Sequence, residues 1–326
     1  KILSNLKIDE SRLPQDGRFK IQIGSGFYAL RVSTLPISEG EKVVMRILNK
    51  QAVDLSVVKL GMEPKQQEDF LKAANYPHGL ILLTGPTGSG KTTTLYSILK
   101  AIQSPEINIM TIEDPVEFQI RGINQVQAKP QIGMTFSGAL KSFLRQDPDV
   151  ILVGEVRDQE TADLCMRAAM TGHLVLSTLH TNDALSATLR LKDLGVEPFL
   201  VSSTLVMVAA QRLLRVLCPE CKEAYKPEPG YLEGLGLEPV EQLYRPKEKG
   251  CDKCAGTGFK GRKAVYEIIM ITEKIRSAIQ KGVPVSDIYA IVKESGVMSL
   301  RDSGFLYVKR GMTSMEEFLA IIMVED

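Results

Sequence analysis

Apolar and polar positions change period partway along this chain. Between residues 16 and 48 they mostly alternate, as RFKIQI, FYALRVSTL and KVVMRIL, separated by Gly24-Ser25-Gly26 and Ser38-Glu39-Gly40-Glu41. Alternation broken by turn residues predicts a small antiparallel sheet domain over residues 1–55. Gly and Pro between Leu60 and Pro64, ahead of the helical-looking KQQEDFLKAAN, place a linker at 56–64. From Gly79 onward the pattern becomes short apolar runs (LILLTG, INIMTIED, DVILVGE, HLVLSTLH) alternating with helical stretches (TTTLYSILKAIQ, FSGALKSFLRQ, QETADLCMRAAMTG). That order predicts an α/β domain over 65–326, a mostly parallel sheet covered by helices. A Pro-, Gly- and Cys-bearing insertion from Cys218 to Gly261 interrupts it, and the stretch beyond Thr272 reads as helical.

Composition narrows the partners. At 326 residues and 44% hydrophobic, the chain can bury a sizeable core and is long for one domain. Lys plus Arg number 40 against 39 Asp plus Glu, so no charge excess holds nucleic acid or an anionic membrane by bulk electrostatics. No window approaches the ~20 apolar residues of a membrane span, and the polar opening KILSNLKIDE lacks a signal peptide's apolar stretch. A soluble, cytoplasmic protein is expected. The chain starts at Lys1 rather than Met, which allows for a preceding domain.

Chemistry enters at GPTGSGKT, which fits G-x-x-x-x-G-K-[ST] with Gly85, Gly90, Lys91 and Thr92 at the fixed places. An apolar strand enters this loop and a helix leaves it, so backbone N–H groups and a helix N-terminus converge on phosphate. Gly85, Thr87, Gly88, Ser89, Gly90, Lys91, Thr92 and Thr93 are therefore the expected ATP contacts. Lys91 would neutralise the β and γ charges, and the Thr92 hydroxyl would reach Mg²⁺.

Hydrolysis also needs an acid for the metal shell and a group to orient water. Three strand ends offer candidates: Glu155 after DVILVG; Glu113, Asp114 and Glu117 in IMTIEDPVE; and His180 after HLVLSTL. Parallel sheets put ligand-facing residues at such ends. His173 and His78 carry no functional expectation, the latter sitting in the turn-like Pro77-His78-Gly79.

Cys218-Pro-Glu-Cys221 and Cys251-Asp-Lys-Cys254 are two C-x-x-C knuckles, whose four thiolates can close a structural Zn²⁺ site. A thioredoxin-like redox pair shares the motif and is the alternative. Cys165, in ETADLCMRAAM, reads as a buried small apolar residue.

These pieces, in this order, resemble the secretion ATPase superfamily that powers type II secretion and type IV pili. GPTGSGKT resembles its Walker A, TIEDPVEF its aspartate box, LRQDPDVILVGEVRD its Walker B and GHLVLSTLHTND its histidine box. The resemblance covers nearly the whole chain. It implies a PAS-like α+β domain followed by a RecA-like P-loop ATPase domain with a four-Cys zinc insertion at 218–254. It further implies a ring-shaped homohexamer using ATP, Mg²⁺ and Zn²⁺, and peripheral inner-membrane association through a platform protein. Glu117 would be the general base or water-positioning residue, Glu155 the Walker B acid near Mg²⁺, and His180 the γ-phosphate contact. Arg31 and Arg46 match the family's arginine fingers. The four-Cys insertion is similar to assembly-type ATPases, and RDQETA and HTNDA look closer to pilus extension than to type II secretion ATPases. The family's first N-terminal domain has no counterpart in this stretch. Two other function classes compete: a nucleotide-gated switch with negligible turnover, and a DNA translocase gripping nucleic acid through the zinc knuckles. The balanced charge argues against the second.

Overall fold

A computed structural model describes residues 1–24, 26–48 and 55–323. They form two compact units, 1–54 and 55–326. The end of the expected sheet domain, 49–54, and the C-terminal 324–326 lie outside the described residues.

The first unit is an antiparallel meander of β1 (Gln15–Ile23), β2 (Gly26–Ile37) and β3 (Gly40–Leu48). Its register sets Arg18 opposite Arg31, and Arg31 opposite Arg46. Directly opposed residues share a face of a sheet, so three arginines stand in one row. Like charges so placed repel.

The second unit is built on a seven-stranded sheet. Its strands are β4 (Gly79–Thr84), β5 (Ile109–Glu113), β6 (Asn124–Gln127), β7 (Val150–Val153), β8 (Leu174–Leu179), β9 (Leu205–Leu217) and, after the small strands β10 (Glu223–Tyr225) and β11 (Leu243–Arg245), β12 (Phe259–Met270). Their spatial order is β12-β9-β4-β8-β7-β5-β6, parallel throughout except for the edge strand β12. Every residue of β4, β7 and β8 is buried, which explains their unbroken apolar runs: such strands are covered on both faces.

The alternation of β4 sorts its side chains between two cores. Leu80 and Leu82 join the core formed with α3 (Phe136–Phe143), α4 (Gln159–Met170), α5 (Ser186–Asp193) and α6 (Pro198–Thr204). Ile81 and Leu83 join the other, formed with α1 (Pro64–Ala74) and α2 (Lys91–Ile102). After a single turn α7 (Tyr231–Gly234) and β12 come α8 (Glu273–Gln280), α9 (Val285–Glu294), α10 (Leu300–Lys309) and α11 (Met315–Phe318), which runs into a π-helical segment at Leu319–Met323. Cys165 on α4 is fully buried in the first core, where burial pushes its thiol up to about 12, inert as a nucleophile.

Part of the stretch 56–64, expected as a linker, packs into a core. Val57, Leu60 and Met62 are buried in the α1–α2 core, so this stretch belongs to the second unit. Three apolar residues without a clear period gave no warning of it.

Candidate active site

Strand order places the chemistry. β8 lies between β4 and β7. The loop after β4, Glu155 just past β7 and His180 just past β8 therefore rise from neighbouring positions at the carboxyl edge of one sheet, where open α/β sheets bind ligands.

The loop Gly85–Gly90 is shaped around its glycines. Gly85 has φ +142, and a Cβ there would stand 2.5 Å from the Gln211 carbonyl and 2.8 Å from Ser89 Oγ. Gly90, φ +92, opens α2 and would meet Gln211 Nε2 at 2.8 Å. No side chain fits either place, so the main chain can wrap tightly there. Lys91 folds back over it, donating to the carbonyls of Gly85 at 2.6 Å and Pro86 at 3.1 Å. Burial pushes the Lys91 ammonium down to about 8, against the pull of Glu155 and with the repulsion of Arg212. Ser89 Oγ and Gln211 Oε1 are buried without a hydrogen-bond partner. Glycines that permit close backbone approach, a lysine over the loop and orphaned polar atoms beneath it fit a nucleoside triphosphate's phosphates, with Thr92 exposed at the helix start where Mg²⁺ would be reached.

Glu155 is the hub of the charged residues. Its carboxylate accepts a short hydrogen bond from Arg157, stands 3.6 Å from His180 Nε2 and acts on Lys91. Arg157 also feels the negative charge of Asp114, in the loop after β5. Glu117 does not enter this contact set. Its main chain lies against the Tyr96 hydroxyl, while its side chain is exposed.

The acids expected around the end of β5 have separate fates. Glu113 is buried and accepts from Tyr96 on α2, from Thr111 at 2.5 Å and from Gln125 at 3.3 Å. Burial raises its carboxyl, and those three donors oppose the rise. Gln125 also ties down the next loop, donating to the Phe118 carbonyl at 3.2 Å and accepting from Ile120 N at 2.7 Å. Phe118 sets its ring edge-on to Tyr96, centroids 4.7 Å apart. Glu113 is thus a structural carboxylate that anchors the Glu117 loop to the helix leaving Lys91. Asp114 and Glu117 stay exposed.

Glu113's anchoring role, Arg157, Gln211 and Arg212 escaped the sequence reading. Arg157 and the Gln211-Arg212 pair left one signal each, charged or polar residues immediately after or within an apolar strand. Arg31 and Arg46 lie on the first unit, in the arginine row.

The four cysteines of the second unit meet. Cys218, Cys221, Cys251 and Cys254 place all their sulfurs within 4.8 Å of one another. Cys218–Cys251 and Cys251–Cys254 are 3.8 Å apart and Cys221–Cys254 3.9 Å. Tetrahedral Zn–S bonds of 2.3 Å imply S···S separations of about 3.8 Å, so the cluster fits zinc, and a redox pair does not explain four thiols gathered within 4.8 Å. The Cys251 and Gly258 N–H groups donate to Cys254 Sγ at 3.1 and 3.2 Å, holding that thiol down at about 6. The cluster closes the far end of the β9–β12 pair, since Cys218 follows β9 and Gly258 precedes β12. No helix among the described residues is long and apolar enough to cross a membrane.

A family profile described as type II/IV secretion system protein matches residues 1–320. The chain is 49% identical over 324 residues to the type IV pilus assembly ATPase PilB of Thermus thermophilus, covering 98% of this chain and 36% of that protein. It is 45% identical over 321 residues to the type II secretion system ATPase E of Vibrio cholerae, covering 98% and 64%. The chain therefore spans about a third of the first relative and just under two thirds of the second. Among solved structures, the pilus retraction motor PilT with bound ADP matches at TM-score 0.69 and 27% identity, over 95% of this chain and 77% of that one. The Legionella pneumophila ATPase DotB matches at TM-score 0.69 and 19% identity, over 94% and 77%, a likeness of fold alone.

Proposed function

The chain belongs to the type II/IV secretion system protein family, and from that premise we propose that it is a motor that hydrolyses Mg·ATP to ADP and phosphate and turns the cycle into movement. The observation that carries the reading is the convergence of Lys91, Glu155 and His180 beside a glycine-shaped loop with orphaned buried polar atoms. Bound Mg²⁺ would neutralise charge on the β- and γ-phosphate oxygens. The loop N–H groups and Lys91 hold the phosphates, Thr92 and Glu155 face the metal position, and His180 contacts the γ end. Glu117, on the loop anchored by Gln125 and Tyr96, orients the attacking water. The second unit acts as the RecA-like engine and the first as its PAS-like partner, presenting Arg31 and Arg46 to a nucleotide in a homohexameric ring. Zn²⁺ held by the four cysteines is structural.

The work is pilus assembly. The ring, cytoplasmic and peripheral at the inner membrane, pushes a platform protein so that pilin subunits are added, without using nucleic acid. RDQETA and HTNDA and the 49% identical pilus assembly relative support this. Type II secretion, driving pseudopilus assembly and export, is the second reading and has the 45% identical relative behind it. Steady-state phosphate release from the purified chain tests the motor reading. Turnover should be present in wild type and absent in a folded Lys91→Ala variant. Nucleotide binding without turnover would leave a gated switch, and wild-type turnover in Lys91→Ala would sink the nucleotide site. Deleting the gene should remove surface pili and leave exoprotein secretion intact; the reverse phenotype selects the secretion reading.

A further inference from the structure

Beyond the strand-end residues, a second group of buried polar side chains backs the phosphate loop from β9. Gln211 and Arg212 are consecutive and almost wholly buried, 1% and 2% exposed. Consecutive strand residues point to opposite faces, yet these two reach two different loops of the site. Gln211 donates Nε2–H to the Ser89 carbonyl at 2.8 Å, gripping the phosphate loop. Arg212 donates to the Asn182 carbonyl at 2.7 Å and to the Gln211 carbonyl at 3.2 Å. Asn182 belongs to the loop that carries His180. The next residues of that loop are held as well: the Asp183 carbonyl accepts from Thr84 at 3.2 Å, Ala184 N–H donates to Glu267 at 3.1 Å, and Tyr289 donates to the Asp183 carboxylate at 2.6 Å.

One further observation points toward a ligand. Gln211 Oε1 and Ser89 Oγ are the buried side-chain atoms left without a partner on either side of this grip.

We propose that Gln211 and Arg212 are positioning residues for the reaction. Gln211 sets the phosphate loop for nucleotide binding. Arg212 sets the loop of His180 at the γ end. Thus one dipeptide of β9 holds both halves of the site in register. The inference rests on the reading of residues 85–92 as the nucleotide site.

The test is a split between binding and turnover. Gln211→Ala and Arg212→Lys are compared with wild type for the Kd of a fluorescent ATP analogue, kcat and KM of phosphate release, and melting temperature. Gln211→Ala should weaken binding about tenfold, the effect of one lost buried hydrogen bond. Arg212→Lys should lower kcat by about tenfold to a hundredfold, as sub-ångström to ångström misplacement does, with Kd within about threefold of wild type. If Arg212 acts through His180, its effect should vanish in a His180→Ala background. Should Arg212→Lys fail to fold, Thr84→Val removes another bond to the same loop and should show the same loss of kcat alone. Equal shifts of Kd, kcat and melting temperature in both variants, or an Arg212 effect that persists beside His180→Ala, overturn the inference. A wild-type chain that binds no nucleotide overturns the site reading and this inference with it. A wild-type chain that binds and turns over ATP, with either of the preceding results, overturns this inference alone.

Discussion

Replacing Glu267 by Gln should change how stability depends on pH, in a direction opposite to carboxylates held ionised by cations or hydrogen bonds. Glu267 sits on β12, 4% exposed, and accepts the Ala184 N–H. Burial pushes its carboxyl from 4.5 up to about 7; the Ala184 N–H and Arg212 pull it down, while Asp183 and Asp302 push it further up. The folded chain then binds this proton more tightly than the unfolded chain does. Its contribution is fully present below pH 4.5 and is lost as pH rises through about 7. At 1.36 kcal/mol per pH unit, that interval corresponds to about 3 kcal/mol. Gln keeps an acceptor for Ala184 and carries no charge at any pH, so Glu267→Gln lacks the loss. The chain has no tryptophan, so urea unfolding is followed by far-UV circular dichroism at pH 5, 6, 7 and 8. All other ionisable groups are common to both proteins and cancel. The variant should gain on wild type by about 3 kcal/mol between the acid and alkaline ends. A difference that stays flat across that range, or that favours wild type as pH rises, would refute the buried, proton-holding carboxylate.

Other outcomes follow from the site. Glu117→Gln and Glu155→Gln should bind ATP normally and lose turnover by about 10²-fold or more, read as normal Kd with depressed phosphate release, because carboxylates on water and metal act in the transition state. Protein purified without chelator should carry one Zn²⁺ per chain by elemental analysis, and Cys218→Ser should lower the melting temperature with only secondary loss of activity, since such sites contribute on the order of 10 kcal/mol to folding. Arg31→Ala and Arg46→Ala should cut kcat by ~10³ while leaving monomer nucleotide binding unchanged, with wild-type activity rising more steeply than linearly with protein concentration. Verified mixed rings of either arginine variant with Lys91→Ala should recover some activity if the finger is supplied between subunits, and no recovery refutes that arrangement.

The sequence announced those parts of the fold whose physics is local or one-sided. β4, β7 and β8 are apolar runs because both faces of the sheet are covered, and glycines around Lys91 are demanded by backbone that no Cβ fits. The four cysteines were legible because metal-ligand spacing is a constraint on types and intervals, independent of what surrounds them. β6 was not legible: Asn124–Gln127 is four residues, none fully buried, held as an edge strand by pairing with β5. The acids of IMTIEDPVE looked interchangeable because the sequence carries charge but not depth. Only the fold puts Glu113 under Tyr96 and leaves Asp114 and Glu117 at the surface.

Gln211 and Arg212 show the limit most sharply, since their partners Ser89 and Asn182 lie 122 and 30 residues away. Within MVAAQRLLRVL the pair reads as a polar interruption of an apolar strand, and ordinary strand logic sends such residues to solvent. The sheet order reverses that outcome. β9 is paired along both edges by β4 and β12 and is buried from Leu205 through Arg212, so the N–H groups of a Gln and an Arg held there need acceptors. The carbonyls that meet them belong to the two loops that must agree for phosphate to be held and acted on. A polar pair stranded inside a central strand is therefore better taken as the end of a long-range bond than as a break in the strand.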